Sequence, residues 1–444
     1  MSSHTVTTSK SWFQRLGNSF SGIIVGIVLF GVGTYLLWWN EGNFVKTKTA
    51  LNEAQSVVQE LEDISKVDSA KNGQLVHTTG TAETDDILED SYFGISTNAI
   101  RLKRDVQYYQ WVEESKSSTK TKLGGGEETV TTYSYKKDWV ASPVNSSQFN
   151  GAEAQEEHKN TAIAAIEDFS VEAENVTLDA YRLPKFLISS ISDSESLTVE
   201  LSDDVLSKLN QQFAPPASLS APPSTPEIST QNVLQPGIIT SIDTTTSDNQ
   251  SVTALATPSI PRFVHVDGSV IYLGQFPGSP QIGDVRATFT RTKPSGVVSL
   301  VAKLNGDTFE SFIARNGKKV GMLSMGTHSA ENMFGSAHAS NNTMTWILRV
   351  VGVFLVCISL RIMIAPLEVL ASVIPFLGKL IGVGTGFFSL LFGAAWSLVI
   401  IALAWLFYRP LIGILILAVA AGLIYLLYSK RGSGMKSDKA QAVE

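Results

Sequence analysis

The chain has 444 residues, a formal net charge of −7 and a single cysteine, Cys357. The acidic balance excludes a general nucleic-acid binder, which needs a basic face to neutralise phosphates. The lone cysteine excludes an intrachain disulfide and, in the polar region, zinc-ribbon, redox and thiol-nucleophile chemistry.

Residues 1–19 are polar and carry Lys10 and Arg15. Residues 22–39 hold no charge, and with Phe20 and Ser21 they reach the ~20 residues that span a hydrocarbon core, so 20–39 is predicted as the first transmembrane helix. A cleaved signal peptide has a shorter apolar core and a small-residue cleavage site. Here the stretch ends in Leu36-Leu37-Trp38-Trp39-Asn40-Glu41, with tryptophan where an interfacial belt would place it. Gly22 and Gly26 stand four apart, a spacing that lets helices approach closely, although glycine is common in such helices and chance explains it equally well.

Apolar residues recur at helical spacing over 50–64, predicting an amphipathic helix just outside the membrane. From Leu75 the period becomes two. The runs 106–112 and 129–135, rich in Tyr, Trp and Thr, flank a polar stretch with Gly124-Gly125-Gly126 and predict a long β-hairpin with a flexible tip. Glu113, Glu114, Glu127 and Glu128 argue against base stacking on its aromatics. Residues 152–169 are alanine-rich and predicted helical, and 199–209 fit strand or helix. The segment 214–261 is crowded with Pro, Ser and Thr and is predicted to be a disordered insert. Strand patterns return at 263–266 and 270–273 around Asp267-Gly268, a hairpin turn, then at 285–289 and 297–302. The whole of 40–344 is expected to form one β-rich domain interrupted by the insert.

Three further spans are predicted: 345–367, 380–408 and 410–428. In the first of these Arg349 and Arg361 lie near the ends, where they can snorkel to the headgroups. Residues 368–379, with Pro375, read as a connecting loop; Arg409-Pro410 interrupts the apolar run, and 429–444 is a basic tail. Gly382 and Gly386 repeat the four-residue spacing. The fold class expected is therefore a membrane protein, α+β, with one N-terminal and three C-terminal helices around a large β-rich domain. Lys10 and Arg15 at one end, and Lys430, Arg431, Lys436 and Lys439 at the other, put both termini and the 368–379 loop in the cytoplasm by the positive-inside rule. The β-rich domain then faces the lumen or periplasm; Arg409 is one charge against that arrangement.

Nothing in the sequence supplies a catalytic, cofactor or metal constellation. None of the six histidines sits in a metalloprotease spacing, and His265 with Asp267 makes too few ligands for a metal. Ser324, between Gly321 and Gly326, misses a nucleophile-elbow spacing by one residue. The last two spans have no internal ionisable group, which disfavours a transporter.

Several short motifs resemble the transmembrane protein 43 family, also called LUMA. They are Trp39-Asn40-Glu41-Gly42 with Lys46-Thr47, the run Gly73 to His77, Arg101 to Val106, and Tyr109 to Glu113 with Trp111. Tyr133-Ser134-Tyr135 with Trp139, His158-Lys159-Asn160, Gly283-Asp284, and Trp405 to Leu411 through Arg409-Pro410 complete the set, in family order. The resemblance implies four spans and a lumenal domain between the first two. It also implies a self-associating scaffold in contact with membrane lipids and other membrane proteins. Animal members are associated with nuclear-envelope proteins at the endoplasmic reticulum and inner nuclear membrane. The Pro/Ser/Thr insert departs from the animal pattern, as a distant bacterial member would; the corresponding place in a bacterium is the inner membrane with a periplasmic domain. No catalytic residue comes with the resemblance, and Trp111, Tyr133 and Tyr135 read as packing residues. A membrane scaffold is the first expectation, a ligand-binding or sensing module the second, and a hydrolase using Ser324, His265 and Asp267 a distant third.

Overall fold

The computed structural model describes residues 3–213 and 263–409. The insert expected over 214–261, the fourth span over 410–428 and the tail over 429–444 lie outside the described residues. Among the described residues three helices are long and apolar enough to cross a membrane, and they contain the first three of the spans expected: α1 (Trp12–Val57), α2 (Ala330–Ala371) and α3 (Pro375–Tyr408).

α1 is one unbroken helix of 46 residues that continues through the stretch expected to be a separate amphipathic helix. Nothing between Asn40 and Ala50 breaks it, because Gly42, the weakest helix former there, is held between helices (below). Its last turns carry Ala50, Leu51 and Ala54 into a cluster with Leu75, Val301, Val320 and Phe334, which fastens the helix to the β domain. Residues 58–64 are not helical; Gln59–Glu60 pair in parallel with the strand at His77. α2 runs through Pro366, and the expected loop at 368–379 shrinks to a turn at 372–374. Pro375 opens α3 at its first position, where a missing N–H costs nothing.

The β domain is built on two sheets. Its main strands are β1 (Ser3–Lys10), β2 (Leu75–Glu83), β3 (Arg101–Thr121), β4 (Glu127–Val140), β5 (Val264–Asp267), β6 (Val270–Leu273), β7 (Val285–Thr292), β8 (Ser295–Asn305) and β9 (Met322–Met325). One sheet has the order β1-β4-β3-β7-β6-β5, and the other is centred on β8, between β2 and β9. Their facing sides form one core around Phe93, Leu102, Leu178, Tyr181, Phe289 and Leu300. β7 shows the cause at sequence level: Val285, Ala287 and Phe289 point into the core while Arg286, Thr288 and Thr290 do not, the period of two that one buried face requires. β5 and β6 pair as the sequence predicts, around Gly268 at φ 58°.

Two expectations fail locally. Of the helix expected over 152–169 only Ala152–Glu157 forms. The rest is drawn out along β3 by specific bonds, with the Tyr108 hydroxyl accepting the Ile166 N–H at 3.0 Å and Arg104 donating to the Glu167 carbonyl at 3.0 Å. Tertiary bonding thus overrides alanine's helix preference. The ambiguous stretch near 199–209 resolves as a helix, Asp203–Phe213.

The hairpin is longer than expected, with most of the supposed tip in strand. β3 and β4 pair from Tyr108–Val140 to Thr121–Glu127, a reach of ~45 Å at the rise of an extended chain. β1 adds to the outer half of β4, His4 opposite Tyr133 and Lys10 opposite Glu127. Beyond Tyr109 this three-stranded ribbon has left β7 and extends away from the domain. Its tip meets the opposite end of the helical bundle: Arg15 donates to the Gly125 carbonyl at 2.5 Å and pairs with Glu127 at 3.3 Å, and the Gly124 N–H donates to the Val373 carbonyl at 3.1 Å. α1 covers ~54 Å between Arg15 and Leu51, so ribbon and helix join the same two ends. Residues from the stretches expected to be cytoplasmic (1–19 and 368–379) and part of the domain expected on the other side therefore touch, a contact that no local pattern in the chain signals.

Asp86 fixes the start of the strand segment that follows β2. Its carboxylate accepts the Asn175 N–H at 2.9 Å, the Asn175 side-chain amide at 3.1 Å and the Glu174 N–H at 2.8 Å. These bonds, those of Asn175 foremost, hold its pKa below the ordinary 3.8. A lowered folded pKa means stability that is present above the unfolded value and is lost as pH falls through the folded one. Asp86→Asn should therefore destabilise by on the order of 1 kcal/mol at neutral pH, with the gap closing below about pH 4. Melting curves across pH check this; a gap independent of pH contradicts it.

Candidate functional site

Three apolar helices cross most of their length by packing alone, so a buried ionic group between them is the feature that calls for an explanation. It lies where the spans meet the β domain. Glu41, on the turn of α1 after Trp39, is fully buried. Its carboxylate takes a two-pronged ion pair from Arg349 of α2, Nε to Oε1 at 2.6 Å and Nη2 to Oε2 at 2.9 Å. Oε2 also accepts the indole N–H of Trp405 of α3 at 2.8 Å. One carboxylate thus binds all three helices, with a fork geometry that arginine, unlike lysine, can supply.

The surroundings complete the pairing. The Arg349 guanidinium stands 4.8 Å from the Trp346 ring centre and 5.7 Å from that of Trp405. Arg409 lies over Phe44 at 4.8 Å and over Trp405 at 5.2 Å. These are cation–π distances. Asn40 donates to the Thr345 carbonyl at 3.0 Å, and Asn341 donates to the Phe44 carbonyl at 3.2 Å. Gly42 faces Tyr408 so closely that a Cβ there would stand 2.5 Å from the ring. Asn40, Glu41 and Gly42 therefore converge with Arg409, although at least 367 positions separate them from it in the chain. Pro410 lies outside the described residues. Arg349 does not snorkel to headgroups as expected; it turns inward to Glu41, because an unpaired buried carboxylate would cost more than bending the arginine away from the interface.

The other residues singled out from sequence fall elsewhere. Lys46 is exposed one turn on, and only its backbone carbonyl is used, accepting from Asn316 at 2.7 Å. Gly22 and Gly26 line the α1–α2 seam, where a Cβ at Gly26 would come within 2.5 Å of Met363 Cγ. Gly382 and Gly386 line the α2–α3 seam against Glu368 and Arg361. Both glycine pairs thus serve packing within one chain.

Trp111, Tyr133 and Tyr135 form a separate aromatic cluster on the ribbon with Phe149 and Ala154. The His158 ring stacks on Tyr135 at 4.2 Å and meets Trp111 edge-on at 4.5 Å. Burial, then the neighbouring Glu113 carboxylate that accepts its hydroxyl at 2.8 Å, push the Tyr135 pKa well above 10.0. Asn160 bonds both the N–H and the carbonyl of Trp111. Trp111→Ala should destabilise the chain by about 2–3 kcal/mol. Thermal unfolding measures it; an unchanged melting point with a lost activity would assign Trp111 a chemical role instead.

Ser324, His265 and Asp267 do not assemble. Ser324 lies on β9 opposite Ser299, while His265 and Asp267 are on β5 in the other sheet. Among the described residues no group of three or more His, Cys, Asp or Glu is placed to hold a metal.

The sequence model of the family described as transmembrane protein 43 matches residues 108–410. The chain is similar to transmembrane protein 43 of Homo sapiens, 28% identical over 428 residues that cover 93% of this chain and 91% of that protein. It is similar to the Mus musculus protein at 28% over 424 residues, covering 92% and 90%. It also resembles the transmembrane protein 43 homolog of Drosophila melanogaster at 24% over 405 residues, covering 90% and 92%. No solved structure matches.

Proposed function

The chain belongs to the transmembrane protein 43 family, and from that premise we propose that it is a non-enzymatic membrane scaffold that self-associates and organises other membrane proteins through its β-rich domain. The observation that carries this reading is the use made of the motif residues Glu41 and Trp405 together with Arg349. Glu41, Arg349 and Trp405 spend their charges and donors on one another, in a closed contact among three helices. A catalytic site would direct such groups at an open space where a substrate can sit.

The same lock makes a rigid frame. The bundle is fixed to the β domain at one end by Ala50, Leu51 and Ala54, and the ribbon ties down its other end at Arg15 and Val373. A frame held at both ends suits a protein that positions others. In this reading the contact partners are lipids, further copies and other membrane proteins, nuclear-envelope proteins among them in a eukaryotic cell.

The test is purification in nanodiscs from the native membrane, with light scattering for mass and mass spectrometry for companions. A defined oligomer with recurrent membrane-protein companions is expected. A clean monomer without companions would overturn the scaffold reading and favour the alternative, a membrane-anchored sensor or ligand-binding module.

A further inference from the structure

At the end of the bundle remote from Glu41, α2 and α3 enclose an open groove of about 560 Å³. Its charged residues are Arg361 and Glu368 of α2 and Lys379 of α3. Arg361 and Lys379 are exposed and Glu368 is half-buried, and none of the three side chains has a hydrogen bond or ion pair among the described residues. The contrast with Glu41 and Arg349 is direct: there two opposite charges neutralise each other, whereas here they stand apart.

Their separation follows from the glycines opposite. A Cβ at Gly386 would come within 3.0 Å of Arg361 Nη1, and a Cβ at Gly382 within 2.7 Å of Glu368 Oε1. The two bare positions thus give each charged side chain its own niche along α3, and their spacing of four residues sets the niches ~6 Å apart along the axis. Deeper in the bundle the groove wall turns apolar at Phe387 and Leu390, both more than half exposed. From the centre of the span outward the order is therefore apolar wall, arginine, carboxylate, and Lys379 at the rim.

We propose that this groove binds a glycerophospholipid whose headgroup carries a primary ammonium. The order of chemistry along the groove is that of such a lipid: acyl chain on Phe387 and Leu390, phosphate on the Arg361 guanidinium, ammonium on Glu368. The long arginine reaches up to the phosphate while its own stem stays against apolar surface. An unpaired arginine at this depth is costly in lipid, and a phosphate supplies its counter-charge. The carboxylate discriminates between lipids, because it accepts hydrogen bonds from a primary ammonium that a quaternary choline cannot donate. The inference is independent of the scaffold reading: a monomer that selects this lipid would sink only the latter.

The test uses the full-length protein, stripped of lipid in mild detergent and titrated with phosphatidylethanolamine, phosphatidylcholine or phosphatidylglycerol, with native mass spectrometry reading the bound lipid. Phosphatidylethanolamine should be retained about tenfold better than the other two. Glu368→Gln should abolish that preference, and Arg361→Gln should reduce retention of all three. Gly386→Ala, which keeps both charges but crowds Arg361, should reduce retention as well and serves if Arg361→Gln fails to fold. Equal retention of the three lipids, or a preference that survives Glu368→Gln, overturns the proposal. So does full competition by soluble phosphoethanolamine at matched concentration, which would show a site for a free phosphoamine.

Discussion

Glu41→Ala is expected to cost about 3–5 kcal/mol, because it leaves the Arg349 guanidinium buried without a counter-charge. The Arg349 side chain is only 13% exposed and the glutamate not at all, so water cannot replace the lost partner cheaply. Trp405 loses its acceptor in the same step. Glu41→Gln should cost less, since its amide oxygen still accepts one of these donors. Thermal unfolding in detergent, followed through tryptophan fluorescence and monodispersity, reads both. A loss under about 1 kcal/mol for the alanine variant would show that the pair contributes nothing the solvent cannot, as for exposed pairs.

Gly26→Leu is expected to separate α1 from α2 and cost about 3 kcal/mol or more, at the upper end of overpacking effects. Its Cβ would stand 2.5 Å from Met363 Cγ, 3.0 Å from the Ser359 carbonyl oxygen and 3.2 Å from the Met363 nitrogen. Two of those three atoms are backbone, which no change of rotamer can move. Gly22 is the control: a Cβ there finds Ile362 at an ordinary 3.5 Å, so Gly22→Ala should be near neutral. Equal tolerance at the two positions would mean that the helices do not meet along this face.

Much of the architecture was legible because long apolar runs and period-two alternation are direct consequences of burial. The hairpin at Asp267-Gly268 and the spans of α1, α2 and α3 come from such local signals. The extended segment after His158 does not, since its shape is fixed by bonds from Arg104 and Tyr108, more than fifty residues away in sequence. Glu41 and Arg349 were each visible as an ionisable residue beside an apolar run, yet pairing them needs the bundle's register, which sequence periodicity leaves open. Arg349 and Arg361 make the point sharply. They are twelve residues apart on α2 and read alike, but one is neutralised by Glu41 and the other faces a groove.

The ribbon was the least legible feature. Its Ser, Thr and Glu residues read as a solvated tip, and the pairing of β1 with β4 joins residues more than a hundred positions apart. Only the three-dimensional arrangement shows that Lys10 and Glu127 lie together at the end where Arg15 docks.

Glu41 and Trp405 of the family motifs close a lock among three helices with Arg349. A double-mutant cycle on Glu41→Gln and Arg349→Met, read as unfolding free energy in one membrane mimetic, tests it most directly. A lock predicts that the double variant is hardly less stable than either single one, with a coupling of about 2 kcal/mol or more. Additive losses, within about 0.5 kcal/mol, would contradict it and return both residues to the search for a chemical role.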